Sequence, residues 1–396
     1  MFKRLLHYRI MWIGLMIATG AIATSASSVT ASSNVDLPSS QSYYRHIMFR
    51  ETPYASYRGI HPIEAAAAPK VAHYQFDYDD KGRIKQIRYQ MEQELIRGNE
   101  VWDSFIWFAP VVNISYQQGS EIHTYFDANE RQIAAHGNVY SAHYKVDQSG
   151  KRTGLYFYDQ QGLPSQNSWN IHHYEWRHTG GKVYEKRFNL AGEQQPLRPE
   201  FQFYEVELEY DPKGQLAFMR NLGLTGTPIN NDSGAGVDRI TYDHHGNFVR
   251  WQVYDKSGSP VEGNRPMVHL GEHLYDKNGN KVGLRGFDRY GHRIPFSWGV
   301  FEHINEYSEA GNQVSHQMKD EAGNMIQHLA REYSQNQSRL ELLKGLNNLG
   351  EATHSSMLGG AAIVKYDYQE DGSLSLQKLN PDGSVYVAPT NNQSGE

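Results

Sequence analysis

The chain has 396 residues, a net charge of −6 and no cysteine, and 39% of its residues are hydrophobic. Without cysteine it can form neither a disulfide nor a cysteine-linked lipid anchor. Its acidic balance argues against nucleic-acid binding, which needs clustered Lys and Arg. Tyr (27 copies) and Gly (36 copies) are unusually frequent, as suits a sheet with one wet face and many tight turns.

The N-terminus has the features of a secretory signal peptide. Lys3, Arg4 and Arg9 precede the apolar stretch Ile10–Ile22, and small residues follow up to Ala26. That pattern is typical of a signal peptide, and thirteen apolar residues are too few to span a bilayer comfortably. We expect residues 1–26 to be removed on export. The loss of three basic residues takes the net charge from −6 to −9 and leaves no membrane span.

A four-residue turn signature, aromatic-Asp-x-x-Gly, recurs in pairs spaced by twelve residues. The clearest pairs are Tyr242–Gly246 with Tyr254–Gly258, and Tyr275–Gly279 with Phe287–Gly291. Allowing imperfect copies, six pairs start at Asp147/Asp159, Arg177/Asn189, Asp211/Gly223, Asp243/Asp255, Asp276/Asp288 and Ser308/Asp320. Successive pairs are 30 to 34 residues apart. A period of this length predicts an array of supersecondary units.

The signature has a direct physical meaning. Asp at the first position of a turn can accept hydrogen bonds from the following backbone, and Gly at the fourth can take positive φ. We therefore predict positive φ at Gly246, Gly258, Gly279 and Gly291. The segments between turns alternate as strands do. Each unit then reads as strand, turn, strand, turn and a longer return.

Four repeat units have a valine at the corresponding position after the first turn. These residues are Val183, Val249, Val282 and Val314. We expect the six pairs to form one continuous antiparallel sheet in which these four side chains stack in a row on one face.

These turns resemble the tyrosine-aspartate repeats of the RHS/YD superfamily, particularly over Tyr242–Pro260 and Tyr275–Pro295. The resemblance covers roughly Asp79–Gly383, and is strong over Val139–Gly323. It implies long β-sheets that coil into spirals or shells and act as scaffolds, binding surfaces or encapsulating walls. It also implies that no catalytic residue belongs to the repeat.

The predicted fold class is all-β: a repetitive antiparallel β-hairpin array, coiled or open and solenoid-like, with minor helical segments near the termini. We divide the chain into a signal peptide (1–26), a disordered linker (27–42), the array (43–330), a short helix with C-terminal hairpins (331–387) and a disordered tail (388–396). The helix is placed within Arg331–Leu349, where leucines recur at three-residue spacing. A second short helix is suggested by the alanine run in Glu64–Pro69.

Two motifs invite a metal, and both are better explained by the repeat. His269-Leu270-Gly271-Glu272-His273 matches the H-x-x-E-H pattern of zinc peptidases, which works only on a helix. Here it leads into a predicted strand, where the two histidines would lie about 13 Å apart. Asp276–Asn280 resembles a calcium loop but lacks its acidic ladder. We assign no catalytic, cofactor-binding or metal-binding residue, and no cofactor.

The tryptophans Trp102, Trp107, Trp169, Trp176, Trp251 and Trp298 could form a stacking surface for a partner or fill the packed face of the sheet. The sequence favours an exported, periplasmic or extracellular, non-catalytic repeat protein whose β-surface binds a protein or a cell-envelope glycan. The alternative is a secreted or periplasmic hydrolase that uses carboxylate and His groups in a groove of the sheet.

Overall fold

The computed structural model describes residues 40–96, 109–369 and 373–388. All of them belong to one compact unit, Pro38–Glu396. The predicted signal peptide, most of the predicted linker, and the tail from residue 389 lie outside the described residues. Across the described ranges the fold is all-β: 23 strands form one antiparallel sheet without an α-helix. None of the helical segments described is long and apolar enough to cross a membrane.

The first half of the sheet contains β1 (Gln41–Ile47), β2 (Gly59–Ile63), β3 (His73–Tyr78), β4 (Ile84–Met91), β5 (Glu94–Leu95), β6 (Val111–Gln117), β7 (Ser120–Phe126), β8 (Ser141–Val146), β9 (Arg152–Tyr158), β10 (His173–Thr179), β11 (Lys182–Phe188) and β12 (Glu205–Tyr210). The second half contains β13 (Leu216–Leu222), β14 (Val237–Tyr242), β15 (Phe248–Tyr254), β16 (Leu270–Tyr275), β17 (Lys281–Phe287), β18 (Glu302–Tyr307), β19 (Gln313–Lys319), β20 (Met325–Tyr333), β21 (Leu340–Gly345), β22 (Ile363–Tyr368) and β23 (Leu374–Leu379). Short 3₁₀ helices occupy Ala68–Lys70 and Ser356–Leu358.

The strands pair almost entirely in chain order. From β6 to β23 each strand pairs with the next, and β4 joins β3 to β6. Only the start departs from this rule, because β1 lies between β2 and β3. The expected continuous antiparallel sheet of sequential hairpins is confirmed.

The turns are built as the sequence predicted. Asp276 Oδ1 accepts the backbone N–H groups of Asn278 (2.8 Å) and Asn280 (2.9 Å), and Asp276 Oδ2 accepts the Asn280 side chain (2.8 Å). The same Asp–Asn clasp links Asp243 to Asn247 and Asp320 to Asn324. The four glycines for which positive φ was predicted have φ between 81° and 93°. Asp therefore caps the turn, and Gly allows its left-handed residue.

A β-bulge follows the first turn of most units. In the hairpin of β14 and β15, Tyr242 pairs with Phe248 and Thr241 with Arg250, so Val249 is the extra residue. Val282 and Val314 are extra residues in the same way. Val183 is not equivalent to them: it pairs directly with His178 in a hairpin without a bulge. This hairpin closes at two glycines between Thr179 and Lys182, which displaces the turn from the predicted start at Arg177.

In five hairpins a tyrosine near the turn donates a hydrogen bond to the preceding hairpin. Tyr275 Oη donates to the Phe248 carbonyl at 3.0 Å, and Tyr307 Oη donates to the Lys281 carbonyl at 3.1 Å. Further bonds of this kind join Tyr116 to Ile84, Tyr333 to Gln313 and Tyr368 to Leu340. The acceptor carbonyl belongs to the first residue of the second strand of the preceding hairpin, next to the bulge.

The predicted helix within Arg331–Leu349 is wrong. This stretch contains the end of β20, a turn and all of β21. Leu340 and Leu343 are both buried although they point to opposite faces of a strand. Because both faces of β21 carry leucine, period-two alternation is hidden and the spacing imitates a helix.

Two terminal boundaries also shift. The alanine run in Glu64–Pro69 forms turns that lead into the 3₁₀ helix Ala68–Lys70 rather than an α-helix. Pro69 lies at the start of that helix, where it has no N–H to leave unpaired. Strand β1 begins at Gln41, so the last residues of the predicted linker belong to the sheet.

Candidate functional site

One edge of the sheet is covered by the chain itself. We call the turns that begin at Asp147, Thr179, Asp211, Asp243, Asp276 and Ser308 the inner turns, and residues 45–61 the N-terminal segment. The turns at the other ends of the strands are the outer turns. The glycines at the fourth position of the outer turns have open space around them, as do Gly150 and Gly214 on inner turns. A Cβ on Gly246, Gly279 or Gly311, by contrast, would meet the N-terminal segment.

The N-terminal segment crosses the inner turns one after another. Arg45 lies beside Gly311, His46 Nε2 donates to the Asn278 carbonyl (3.1 Å), and Met48 Sδ accepts from Gln215 (3.6 Å). Further along, the Tyr54 hydroxyl bonds His178 Nε2 (2.9 Å). The contacts therefore run backwards through the array as the segment runs forwards.

The segment then returns across the same turns. Arg58 Nη1 donates to the Lys213 carbonyl at 2.9 Å. Ile60 packs on Gly246, and His61 Nε2 donates to Asn247 Oδ1 at 2.9 Å. The N-terminal segment thus contacts His178 and Asn278, at inner turns that lie 100 residues apart in the chain.

Buried charged groups fix the bend of the segment. Arg152 Nη1 donates to the carbonyls of Pro53 (3.1 Å) and Tyr54 (2.8 Å), while Glu51 pairs with Arg198 at 2.6 Å. Since these groups are largely shielded from water, each would be costly to leave unpaired. The bend is therefore anchored by specific partners as well as by apolar packing.

A cavity of about 270 Å³ lies between the N-terminal segment and the inner turns. Its lining is rich in aromatic rings and amides and is contributed by Arg45, His46, Ile47, Met48, Phe49, Arg50, Tyr57, Ile60, Ala72, Tyr74, Tyr89, Asn247, Phe248, Tyr275, Gly279, Asn280, Lys281, Asn305, Tyr307, Gly311 and Gln313. Among these described residues none is Asp or Glu. The volume lies just below the usual range for small-molecule pockets.

The aromatic rings of the lining are held in fixed contacts. Phe49 stacks on Phe248 with ring centroids 4.8 Å apart, and Tyr74 stacks on Tyr89 at 4.6 Å. The hydroxyl groups of Tyr275 and Tyr307 are used in bonds between hairpins. The aromatic part of the wall is therefore preformed.

Two equivalent asparagines differ at the cavity. Asn247 accepts from His61 through Oδ1 and donates to Asp243 through Nδ2 (2.9 Å). Asn280 makes the matching bond to Asp276, but its Oδ1 is buried and has no partner. Its side chain is 2% exposed. A buried acceptor without a donor costs free energy, so the two asparagines are not equally well satisfied.

Two arginines of the lining each have one nitrogen atom without a hydrogen-bond partner. Nη2 of Arg45 and Nη2 of Arg50 are buried without a partner. Burial lowers the pKa of Arg45, partly offset by the charge of Asp276. Burial, His61 and Arg45 together lower the pKa of His46 to about 4, so His46 is neutral at physiological pH.

Other carboxylate and histidine groups lie outside this cavity lining. Although burial opposes it, bonds from His123 and the charge of Arg152 lower the pKa of Glu121 to about 2. Glu185 and Arg187 form a fully buried ion pair at 2.7 Å. These groups brace the interior of the sheet.

The two sequence motifs that resemble metal-binding sites lie on the hairpins. His269 directly precedes β16 and donates through Nδ1 to the Val253 carbonyl (2.7 Å), and His273, within β16, donates to the Phe248 carbonyl (2.8 Å). Asp276 is occupied by the turn clasp. Within residues 40–96, 109–369 and 373–388, no three His, Asp or Glu side chains are grouped so as to hold a metal ion.

Most of the described tryptophans pack in or against the hydrophobic core. Trp176 is buried, and Trp169 and Trp251 pack against the main core. Trp298 is 42% exposed, with its ring stacked on Phe296 at 4.8 Å. Trp102 and Trp107 lie outside the described residues. The stacking surface suggested by the sequence is therefore not a continuous row on the described part of the chain.

No protein-family profile and no curated protein matches the chain. Similar solved structures include TcdB2-TccC3-Cdc42 (11% identity, TM-score 0.20, 86% of this chain and 21% of that chain). A porin-like protein from Bacteroides uniformis has 10% identity and a TM-score of 0.26, over 70% of this chain and 94% of that chain. The Photorhabdus luminescens Tc holotoxin pore has 12% identity and a TM-score of 0.17, over 79% and 19%.

The chain spans about a fifth of the length of the two toxin chains that it matches. At these identities the likeness concerns the kind of fold alone, and at these TM-scores nothing about function follows from it.

Proposed function

We propose that the chain is an exported, non-catalytic binding protein of the tyrosine-aspartate repeat kind. Its partner is a cell-envelope glycan, of which one sugar ring enters the inner cavity. The observation that carries this proposal is the lining itself: preformed aromatic walls interspersed with the amide side chains of Asn247, Asn280, Asn305 and Gln313. Sugar rings offer apolar faces to aromatic side chains and hydroxyl groups to amides.

The lining supports binding better than hydrolysis. Glycoside hydrolysis generally needs two carboxylates that flank the scissile bond. The described lining contains no carboxylate, and its histidine, His46, is committed to the Asn278 carbonyl. A protein partner on the β-surface remains the other part of the expectation from sequence.

Ligand-observed NMR and calorimetry with a panel of monosaccharides and oligosaccharides test the proposal. We expect saturable binding by the wild-type protein. Ala72→Phe, which places a large side chain in the cavity, should abolish binding. Ala72 is 5% exposed, so thermal melting must show that the variant stays folded.

Leu224→Ala is the matched control, because Leu224 is 99% exposed on an outer turn. Its binding should equal that of the wild type. If no sugar binds, or if folded Ala72→Phe binds as well as the wild type, the cavity is not a glycan site.

N-terminal sequencing of the exported protein tests the compartment: the mature chain should begin between Thr24 and Ser27.

A further inference from the structure

We propose that β23 pairs edge to edge with β23 of a second copy of this chain, which gives a two-fold symmetric dimer. Strand β23 (Leu374–Leu379) pairs with β22 over six positions. In the described part of the chain, no strand pairs with its other edge. None of its residues lines the inner cavity, so this inference is independent of the glycan proposal.

The free edge of β23 has the same form as an interior edge of the array. After the outer turn that follows β15, the chain donates a backbone hydrogen bond to the Val253 carbonyl (3.1 Å). After the turn that follows β23, it donates the same bond to the Lys378 carbonyl (2.9 Å). Counting back from these matched bonds, Leu376 corresponds to Trp251, to which the next strand, β16, pairs. The edge of β23 is therefore built to accept a further strand.

The direction of the backbone groups identifies which residues can pair with that strand. The Lys378 carbonyl faces the free edge, whereas the Leu379 carbonyl accepts from Ala362, just before β22 (3.0 Å). Because these groups alternate along a strand, the N–H and C=O groups of Leu374 and Leu376 also face the free edge. They provide two donors and two acceptors for an incoming strand.

The side chains of Leu374 and Leu376 form an apolar strip along this edge. They are 38% and 58% exposed and lie on the same face of the sheet, because they are two residues apart. On β22 they pair with Tyr368 and Tyr366, which widen the strip. Charged residues and prolines usually protect an edge strand, but β23 contains one charge, Lys378, and no proline. This edge therefore has the composition of an interface.

A second copy of β23 matches the edge in register. In an antiparallel pair centred on Ser375, Leu374 lies opposite Leu376 of the second copy, and the reverse contact is identical. The residues of each such pair exchange both backbone hydrogen bonds, so the contact contains four. The four leucine side chains lie together on one face. The two Lys378 side chains lie at opposite ends of the pair, where their like charges are well separated.

The other edge of the sheet is a poorer partner for β23. Strand β2, which pairs with β1, is five residues long and contains Pro62, which has no N–H to donate. His61 beside it has φ 54°, outside the geometry of a regular strand. Pairing of β23 with β2 would also join copies head to tail. Self-pairing of β23 uses the same surface on both copies, so it closes as a dimer.

Sedimentation equilibrium of the purified protein, at concentrations up to about 1 mM, measures this association. We expect a reversible equilibrium between monomer and dimer. Leu376→Lys removes an apolar contact from each copy and places a charge among the leucines, so it should weaken the dimer at least about tenfold. Leu349→Lys is the matched control, because Leu349 is 82% exposed on an outer turn, and it should associate as the wild type does. Thermal melting checks that both variants are folded.

A single cysteine tests the register of the pair. The chain has no cysteine, and the two copies of Ser375 would face each other with Cα atoms about 4.5 Å apart. Ser375→Cys should therefore form an intermolecular disulfide on oxidation, measured by gel mobility. Gln377→Cys is the matched control, since it is exposed on the same face of β23. Its two copies would lie about 13 Å apart along the strands, beyond the reach of a disulfide.

A protein that stays monomeric at the highest concentration would overturn the proposal and leave the glycan proposal standing. Association that Leu376→Lys leaves unchanged would show that another surface holds the dimer. Equal cross-linking of Ser375→Cys and Gln377→Cys, or no cross-linking of Ser375→Cys, would contradict the register. Growth beyond the dimer as concentration rises would indicate head-to-tail contacts and would equally overturn the self-pairing of β23.

Discussion

The turn glycines differ in what surrounds them, although their backbones are alike. Gly279, on an inner turn, has φ 81°, and Gly291, on the outer turn of the same unit, has φ 87°. A Cβ on Gly279 would overlap the rings of His61 and His46, while a Cβ on Gly291 would meet nothing within 4 Å. The pair therefore separates backbone strain from contact with the N-terminal segment.

Replacing each glycine by Ala tests this difference. Gly291→Ala should lower the free energy of unfolding by about 1 kcal/mol, the cost of a left-handed non-glycine residue. Gly279→Ala should cost at least about 1 kcal/mol more, because two histidine rings must move. Urea denaturation measures both. Equal losses would mean that the N-terminal segment does not lie on the inner turns.

Asp238 is predicted to make stability depend on pH. Burial and the nearby Glu51 raise the pKa of this carboxyl from 3.8 to about 8. Its folded pKa is above the unfolded value, so its contribution to stability is complete below about pH 4 and is lost as the pH rises through about 8. Asp238→Asn cannot ionise and keeps an oxygen for Asn264, which donates to Asp238 Oδ1 at 2.9 Å.

Melting curves from pH 4 to pH 9 should show the wild type losing stability relative to Asp238→Asn as the pH rises. Asp232→Asn, at an exposed position, is the control and should follow the wild type. Parallel curves for the wild type and Asp238→Asn would show that Asp238 ionises as freely in the folded as in the unfolded chain.

At the scale of elements, the hairpins could be predicted because their turns are local. Asp243 and Asp276 bond within five residues of themselves, so the sequence contains the whole cause of each turn. The leucine run around Leu343 could not be assigned by pattern, because pairing with β20 and β22 decides it. Val183 looked equivalent to Val249 in spacing, but a bulge cannot be recognised from spacing alone.

The hydrogen bonds from tyrosine hydroxyl groups to the preceding hairpin should contribute to the stability of the sheet. Tyr333 Oη donates to the Gln313 carbonyl at 3.0 Å and joins β20 to the preceding hairpin. Tyr333→Phe should lower the free energy of unfolding by about 0.5–1.5 kcal/mol, the usual net worth of a hydrogen bond. Tyr290→Phe, at a side chain that is 78% exposed, should change it little. Equal effects in denaturant titrations would show that the Tyr333 link does not stabilise the sheet.

At the scale of the whole molecule, the decisive contacts lie far apart in sequence. Arg58 reaches Lys213, 155 residues away, and His46 reaches Asn278, 232 residues away. Residues 45–61 lack the turn signature, but nothing in their local pattern indicates which turns they contact. The cavity and its Arg45 and Arg50 therefore could not be predicted from the sequence, since they exist only where this segment meets the inner turns.

A disulfide between the N-terminal segment and an inner turn would show directly that the segment lies on these turns. A Cβ on Gly246 would lie 3.9 Å from Ile60 Cβ, within the range of about 3.5–4.5 Å for disulfides. The chain has no cysteine of its own, so the background is clean. Ile60→Cys with Gly246→Cys should form an intramolecular disulfide on oxidation, measured by gel mobility and mass spectrometry.

Ile60→Cys with Gly258→Cys is the matched control. Gly258 has φ 88°, close to the 93° of Gly246, but lies on the outer turn of the same unit. We expect a disulfide in the first pair and none within the second. Failure of the first pair to cross-link, or equal cross-linking of both, would show that the N-terminal segment does not run along the inner turns.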